Sequence, residues 1–438
     1  MTGPREKNYL ESGLCYRKQV IDMKAVVLAA GEGRRLRPLT GTVSKGMLPV
    51  ANRPILSFVI DALVQSSVTD IEMVVGHRKE KVMNHFGDGG DLGVSINYVE
   101  QKFQLGTAHA LQQAKDRVEG KFLVVPGDSI VRPEGIRSLV EVEGDDWGML
   151  VTSTSTNSKY GLVEVSGDTL INIKEKQKLT EDLISSGAPS VMALALWDYT
   201  DPDSSGLINT GTYRMDDSIF DVIEEEGAGE PTNLTRCLVK KADRVKVKYT
   251  DRWLDAVYPW DLLPLNEHCL SRIGRTTGGT VEEGVVIRGE VSLGEQVNVR
   301  ANSVIRGPVT IGDNTEIGPG ACIGPNVSIG CNCRIDPYTV ISECVIMDDV
   351  TLGSHGSVSH SVIAQGSTIG DFFGVGAGEY TVRLERFTAK KTLGAVVGPD
   401  CRIGHHVNLD QGVILGEDCQ IGPMSKISRN LPDGTNVV

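Results

Sequence analysis

No run of apolar residues in this chain approaches the ~20 that a helix needs to span a bilayer, so no segment is expected to enter a membrane. A basic surplus is also missing. Lys and Arg number 44 against 57 Asp and Glu, a net charge of -13, and the basic face of a nucleic-acid partner is not there. Paired Cys-x-x-Cys spacing is absent. Nine cysteines, an odd number, are read as free thiols of a reducing compartment; Cys331 and Cys333 have no second pair nearby to complete a metal site. Residues 1–22 mix Arg, Lys, Glu and Asp without the apolar stretch of a signal peptide, and Met23 stands just before the first strand-like run. They are expected to be a disordered tail or a mis-assigned start, and the protein to be cytoplasmic.

At 438 residues the chain is long enough for two well-buried domains, and two hydrophobic periods divide it. Residues 23–268 alternate apolar runs (Ala25–Ala30, Ile71–Val75, Ser95–Val99, Phe122–Val125) with amphipathic segments (Ile55–Gln65, Thr107–Val118). Strands alternating with helices imply a Rossmann-like α/β sheet, parallel for the most part. Residues 279–438 follow another rule. Aliphatics fall every six residues at Ile287, Leu293, Val299, Ile305, Ile311, Ile317, Ile323, Ile329, Ile335 and Ile341. The phase slips near Ile346 and Ile363 and returns at Val397, Ile403, Leu409, Leu415, Ile421 and Ile427, with a break between Val375 and Val397. Six matches neither a helix nor a flat strand. It matches a parallel β-helix of hexapeptides, with a loop leaving the solenoid at the break.

The strand Ala25-Val-Val-Leu-Ala-Ala30 runs into Gly31-Glu-Gly33-Arg-Arg-Leu-Arg-Pro-Leu-Thr40, and Lys45-Gly-Met-Leu-Pro-Val50 follows. Glycines after a first strand let backbone amides form an anion-binding nest at the carboxyl end of the sheet. Arginines and a lysine beside them suit a triphosphate. No Gly-Lys-Ser/Thr follows, so this is not a Walker loop. The stretch resembles the signature of the sugar-1-phosphate nucleotidylyltransferases. That resemblance assigns Leu28, Ala30, Gly31 and Gly33 to the nucleotide and Arg35 and Lys45 to catalysis on the triphosphate. Two departures stand out: Arg34 replaces the usual Thr or Ser, and Ser44 and Gly46 flank the lysine where prolines are usual.

Nucleotidyl transfer brings anions together, so positioning and charge neutralisation are the main demands. The resemblance implies Mg²⁺ held by Asp128, which ends the apolar run Val124-Val-Pro-Gly-Asp128, and by a second carboxylate. Asp255 in Trp253-Leu-Asp255 is the choice for it, with Asp261 in reserve because it could instead cap the following helix. Base choice is expected in Gln101-Lys-Phe-Gln-Leu-Gly-Thr-Ala-His-Ala110, through Gln101, Gly106 and Thr107. One methyl separates uracil from thymine, so UTP is favoured and dTTP stays open. The sugar phosphate is assigned by resemblance to Gly161, to Glu175 and Lys176, and to Asn209.

The second half is similar to the left-handed β-helices of hexapeptide acyltransferases, and the two halves together to bifunctional archaeal enzymes joining a uridylyltransferase to an acetyltransferase-like β-helix. A homotrimer is implied, and acetyl-CoA becomes a candidate co-substrate. The His-x-x-Tyr coil of those acetyltransferases is missing, leaving His360 as the candidate base, and a structural scaffold is the favoured reading. Three functions are carried forward. The first is transfer from UTP or dTTP to a sugar-1-phosphate such as N-acetylglucosamine-1-phosphate or glucose-1-phosphate. The others are a non-catalytic regulatory subunit of the same build, and a bifunctional enzyme with added acetyl transfer.

Overall fold

A computed structural model describes residues 23–154, 160–174, 206–226, 233–383 and 388–438. The expected tail 1–22 lies outside them. In the first half the strands are β1 (Lys24–Ala29), β2 (Asp70–Val75), β3 (Ser95–Glu100), β4 (Lys121–Pro126), β5 (Ser129–Val131), β6 (Trp147–Thr154), β7 (Leu162–Ser166), β8 (Thr169–Lys174), β9 (Gly206–Asp216), β10 (Val245–Tyr249) and β11 (Trp253–Asp255). All but β5 and β11 form one mixed sheet in the order β3-β2-β1-β4-β9-β6-β10-β8-β7. Strands β3, β2, β1 and β4 run parallel, and β9 joins them antiparallel.

Alternation along β1 explains why it lies in the middle. Ala25 and Val27 share a core with Leu56, Val59, Ile60 and Leu63 of the helix α1 (Ile55–Gln65). Val26 points the other way, into a core with Ala108 and Leu111 of α2 (Thr107–Gln112) and Leu234 and Leu238 of α3 (Leu234–Lys240). A strand covered on both faces has to be apolar throughout, and each fully buried Val or Leu contributes ~1.5–3 kcal/mol. The helix expected to reach Val118 stops at Gln112. Ala114 leaves helical geometry, a one-turn 3-10 segment Lys115–Arg117 follows, and Ala114 and Val118 still reach the core.

The second half is a parallel β-helix of three sheets. Ile311 pairs with Ile329, eighteen positions on, so three hexapeptides make one coil. Two later coils are one residue shorter: Ile329 pairs with Ile346 and Ile346 with Ile363. Each lacks one residue at a corner, where Glu343 and His360 turn the chain with positive φ. That is the physical cause of the phase slip, and the interior column stays continuous through Leu352, Val358, Ile369 and Val375. The break is a β-hairpin, Gly378–Arg383 with Thr388–Leu393, projecting from the coil.

The halves share a core. Leu36, Leu39, Leu48 and Ile130, together with Leu262, Leu265 and Leu270 of α4 (Leu262–Leu270), pack against Val345, Met347, Val362, Ala364 and Val396 of the β-helix. Buried Asn266 ties the junction: its Oδ1 accepts from Ala51 N at 2.8 Å and its Nδ2 donates to Asn326 O at 3.2 Å. Gln365 donates to Thr42 Oγ1 at 2.9 Å. The loops after β1 therefore rest on the solenoid wall.

Candidate active site

Lys45 begins a single 3-10 turn, Lys45–Met47. The next residue has no room for a side chain, because a Cβ on Gly46 would lie 2.6 Å from the carbonyl oxygen of Gly127. This close approach seats the lysine loop on the turn after β4 and brings Lys45 Nζ to 2.5 Å from Asp128 Oδ2. The ladder between β5 and β11 then sets Asp255 opposite Ser129, the residue after Asp128. Two carboxylates 127 positions apart in sequence meet around one ammonium.

Burial works against the Lys45 ammonium, but Asp128, Asp255 and Asp261 outweigh it and hold its pKa above the usual lysine value. Burial also disfavours the Asp255 carboxylate. Lys45 partly opposes this, Asp128 and Asp261 add to it, and the pKa is pushed up to about 6. Tyr160 donates to Asp255 Oδ1 at 2.8 Å and packs edge-on against Trp253 at 5.0 Å between ring centroids. Burial and the carboxylates keep its phenol protonated far above the usual range. Crowded carboxylates with one raised pKa and a fixed neighbour are a donor set that a divalent cation would relieve. No group of three or more His, Cys, Asp or Glu side chains is arranged to hold a metal ion among the described residues.

Asp261 has a different task. Its Oδ2 accepts from the backbone amides of Val257 at 3.1 Å and Tyr258 at 2.9 Å, closing a capping box on the turn before α4.

The glycine loop sorts its arginines. Glu32 engages Arg34 at 2.6 Å and Arg37 at 3.2 Å, while Arg35 is exposed and forms no ion pair among the described residues. Arg34, the departure noted in the sequence, is thus folded back onto an acid. Gly33 is left-handed with φ 66°, and a Cβ there would press within 3.2 Å of Lys45 Cβ. A Cβ at Gly31 would meet nothing within 4 Å, so the space above it is open. Leu28 and Ala30 end the strand, their carbonyls accepting from Gly127 at 2.9 Å and His77 at 3.4 Å.

In the loop after β3, Gln101 is buried, and its Nε2 lies 2.9 Å from His109 Nδ1 and 3.3 Å from Gly106 O. Gly106 takes φ 99°, and the Thr107 hydroxyl accepts from Leu234 N at 3.1 Å. Of the residues assigned to the sugar phosphate by resemblance, Asn209 is pinned by Tyr213 Oη at 2.6 Å and Gly211 N at 2.8 Å, and Gly161 follows Tyr160. Glu175 and Lys176 lie outside the described residues. His360 lines a small apolar cleft with Trp260, Leu263 and Leu393, and its buried Nδ1 has no hydrogen-bond partner among the described residues.

Sequence reasoning missed the Tyr160–Asp255 bond and the Gly46–Gly127 approach. Tyr160 stood in view beside Gly161, yet nothing local connects it to a residue 95 positions later. Gly46 was visible only as an unusual neighbour of the lysine.

Comparison with known proteins accords with this layout. Residues 24–271 match the family described as nucleotidyl transferase, and residues 305–393 the family described as GMPPB C-terminal domain. Among curated relatives, the chain is 31% identical over 287 residues to the bifunctional protein GlmU of Methanococcus maripaludis, a match covering 64% of this chain and 62% of that protein. It is 30% identical over 284 residues to the low-salt glycan biosynthesis nucleotidyltransferase Agl11 of Haloferax volcanii, covering 62% and 73%. It is 31% identical over 289 residues to a glucose-1-phosphate thymidylyltransferase of Streptomyces antibioticus, covering 63% and 74%. The chain spans about three fifths of the GlmU relatives it matches.

Proposed function

Because the chain belongs to the nucleotidyl transferase family, we propose that it transfers a nucleotidyl group from UTP or dTTP to a sugar-1-phosphate, releasing pyrophosphate and a nucleotide sugar. The observation carrying this reading is the convergence of Lys45, Asp128 and Asp255 beside a glycine loop whose Arg35 pairs with no acid among the described residues. A regulatory copy would have no use for that arrangement. The named relatives GlmU, Agl11 and thymidylyltransferase support the same class.

In this mechanism a phosphate oxygen of the sugar phosphate attacks the α-phosphorus, and the bond to the pyrophosphate oxygen breaks. Arg35 meets charge on the departing pyrophosphate. Lys45 leaves Asp128 for the α-phosphate, exchanging one anionic partner for another and so remaining a cation. Asp128 and Asp255 would hold Mg²⁺, which supplies charge neutralisation on the phosphates when bound. Tyr160 orients Asp255 for that role. Gln101 and Gly106 face the base, and Asn209 and Gly161 the sugar. The β-helix serves as a scaffold and trimerisation unit.

Incubating purified protein and Mg²⁺ with each of the four NTPs or dTTP and a panel of sugar-1-phosphates, followed by pyrophosphate detection, tests the proposal. Release confined to UTP or dTTP and dependent on the sugar phosphate is expected; none with any pair would refute it.

A further inference from the structure

Arg35 and Lys45, the two cations assigned to the triphosphate, ride on one loop whose apolar side belongs to a core shared with the other half of the chain. Arg35 precedes Leu36, and Lys45 lies between Leu39 and Leu48. These three leucines are buried in one cluster with Val345, Met347 and Val362 of the β-helix. One polar contact joins the same surfaces: Gln365 Nε2 donates to Thr42 Oγ1 at 2.9 Å across 323 positions of sequence. A hydroxyl both donates and accepts, so this bond holds whichever end of the amide faces it. From Thr42 the loop is tied inward by short steps. Gly41 O accepts from Arg78 Nη2 at 3.1 Å, and the buried Thr40 hydroxyl donates at 2.9 Å to Gly33 O, which also accepts from Leu36 N at 2.9 Å. Gly33 lies against Lys45, whose Cβ would be 3.2 Å from a Cβ placed there. Apolar packing is non-directional and sets how closely the leucines approach the wall, whereas a hydrogen bond is directional and sets where along the wall the loop stands.

We propose that Gln365 is a positioning residue for nucleotidyl transfer: by holding Thr42, the β-helix registers the loop that carries Arg35 and Lys45, and so takes part in the chemistry of the first half. This rests on the reading that Arg35 and Lys45 act on the triphosphate. Gln365 touches no substrate in this scheme. Charge that shifts toward the leaving pyrophosphate is met only by cations already in place, while the bound triphosphate tolerates a loop displaced by a fraction of an ångström. The loss on cutting the tether therefore falls on kcat rather than on KM.

Four variants of the full chain test the proposal: Gln365→Ala; Thr42→Val, which removes the hydroxyl at similar bulk; the two combined; and Thr42→Ser, which keeps the hydroxyl. For each, kcat and KM are measured with the nucleotide and sugar phosphate that the wild type uses best, alongside thermal midpoints and amide hydrogen exchange of residues 36–48. Gln365→Ala and Thr42→Val should each lower kcat about fivefold with KM within about twofold. The combined variant should lose no more than either alone, because both remove the same bond. Thr42→Ser should keep the wild-type kcat. Exchange across residues 36–48 should quicken in Gln365→Ala while its thermal midpoint stays within about 2 °C of wild type.

An unchanged kcat in Gln365→Ala, losses that add in the combined variant, a rise in KM alone, or exchange across residues 36–48 that does not respond would each overturn the role of Gln365. Should Gln365→Ala fail to fold, Thr42→Val against Thr42→Ser decides, and equal kcat in those two overturns the tether. A wild type that releases no pyrophosphate with any pair would overturn the proposed function and this inference together, an outcome distinct from a fully active Gln365→Ala protein.

Discussion

Lys45 Nζ lies 2.5 Å from Asp128 Oδ2, an ion pair between the loop after the first strand and the turn after the fourth strand. Neither side chain is sealed from solvent, Lys45 being 18% and Asp128 31% exposed, so phosphates and a cation can reach the pair and compete for its members. Replacing Lys45 or Asp128 with Ala should each lower pyrophosphate release by ~10²-fold or more while circular dichroism stays unchanged. Activity within a few-fold of wild type in both would dissolve the site.

Gly46 offers a subtler test. A Cβ placed 2.6 Å from Gly127 O forces the lysine loop outward, and misplacement by a fraction of an ångström is costly in catalysis. Gly46→Ala should lose about tenfold or more in kcat with its thermal midpoint little changed. Retained kcat would show that the loop seat does not set the position of Lys45.

Asp255 links catalysis to pH. Burial pushes its pKa up to about 6, above the ordinary aspartate value, so the stability it contributes is present below about 4 and lost as pH rises through about 6. Without Mg²⁺, Asp255→Asn should therefore raise the thermal midpoint at pH 7.5 by ~2–4 °C, and the gain should vanish below about pH 4. In the wild type, protons compete with the cation, and the Mg²⁺ concentration for half-maximal rate should climb as pH falls below about 6. A midpoint lowered at pH 7.5, or a Mg²⁺ requirement flat from pH 7 to 5, would refute this placement.

The β-helix leads to two expectations. Flat parallel faces of a solenoid suit cyclic packing, and light scattering should give about three times the 47.2 kDa chain mass. A monomer at micromolar concentration would contradict it.

Acetyl transfer is expected to be absent or very weak with acetyl-CoA and glucosamine- or galactosamine-1-phosphate. His360 is a corner residue of a shortened coil, facing Trp260 and Leu393 in an apolar cleft, and a general base needs the amine within hydrogen-bond reach. Thiol release that disappears in His360→Ala would reverse this.

Much of the fold was legible because burial writes its period into sequence. The six-residue spacing from Ile287 to Ile341 marks residues that point into the solenoid, and the apolar run of β1 marks a strand covered on both faces. Less legible was anything set by contacts between distant segments. The slips near Ile346 and Ile363 were seen, but their cause, a corner shortened by one residue at Glu343 and at His360, needs the pairing register. The helix from Thr107 ran on in the sequence because Ala114 and Val118 keep helical spacing, whereas the chain tightens and buries them after turning. The contact of Gln101 Nε2 with the Gly106 carbonyl depends on a backbone atom that carries no sequence signature at all.

The most direct test follows phosphorus itself. ³¹P NMR of the protein with UTP, N-acetylglucosamine-1-phosphate or glucose-1-phosphate, and Mg²⁺ should show the α-phosphorus moving into a sugar diphosphate as pyrophosphate appears in equal amount, with no change in the Lys45→Ala protein. Triphosphate signals that persist with both sugar phosphates, and with dTTP in place of UTP, would contradict nucleotidyl transfer to these acceptors.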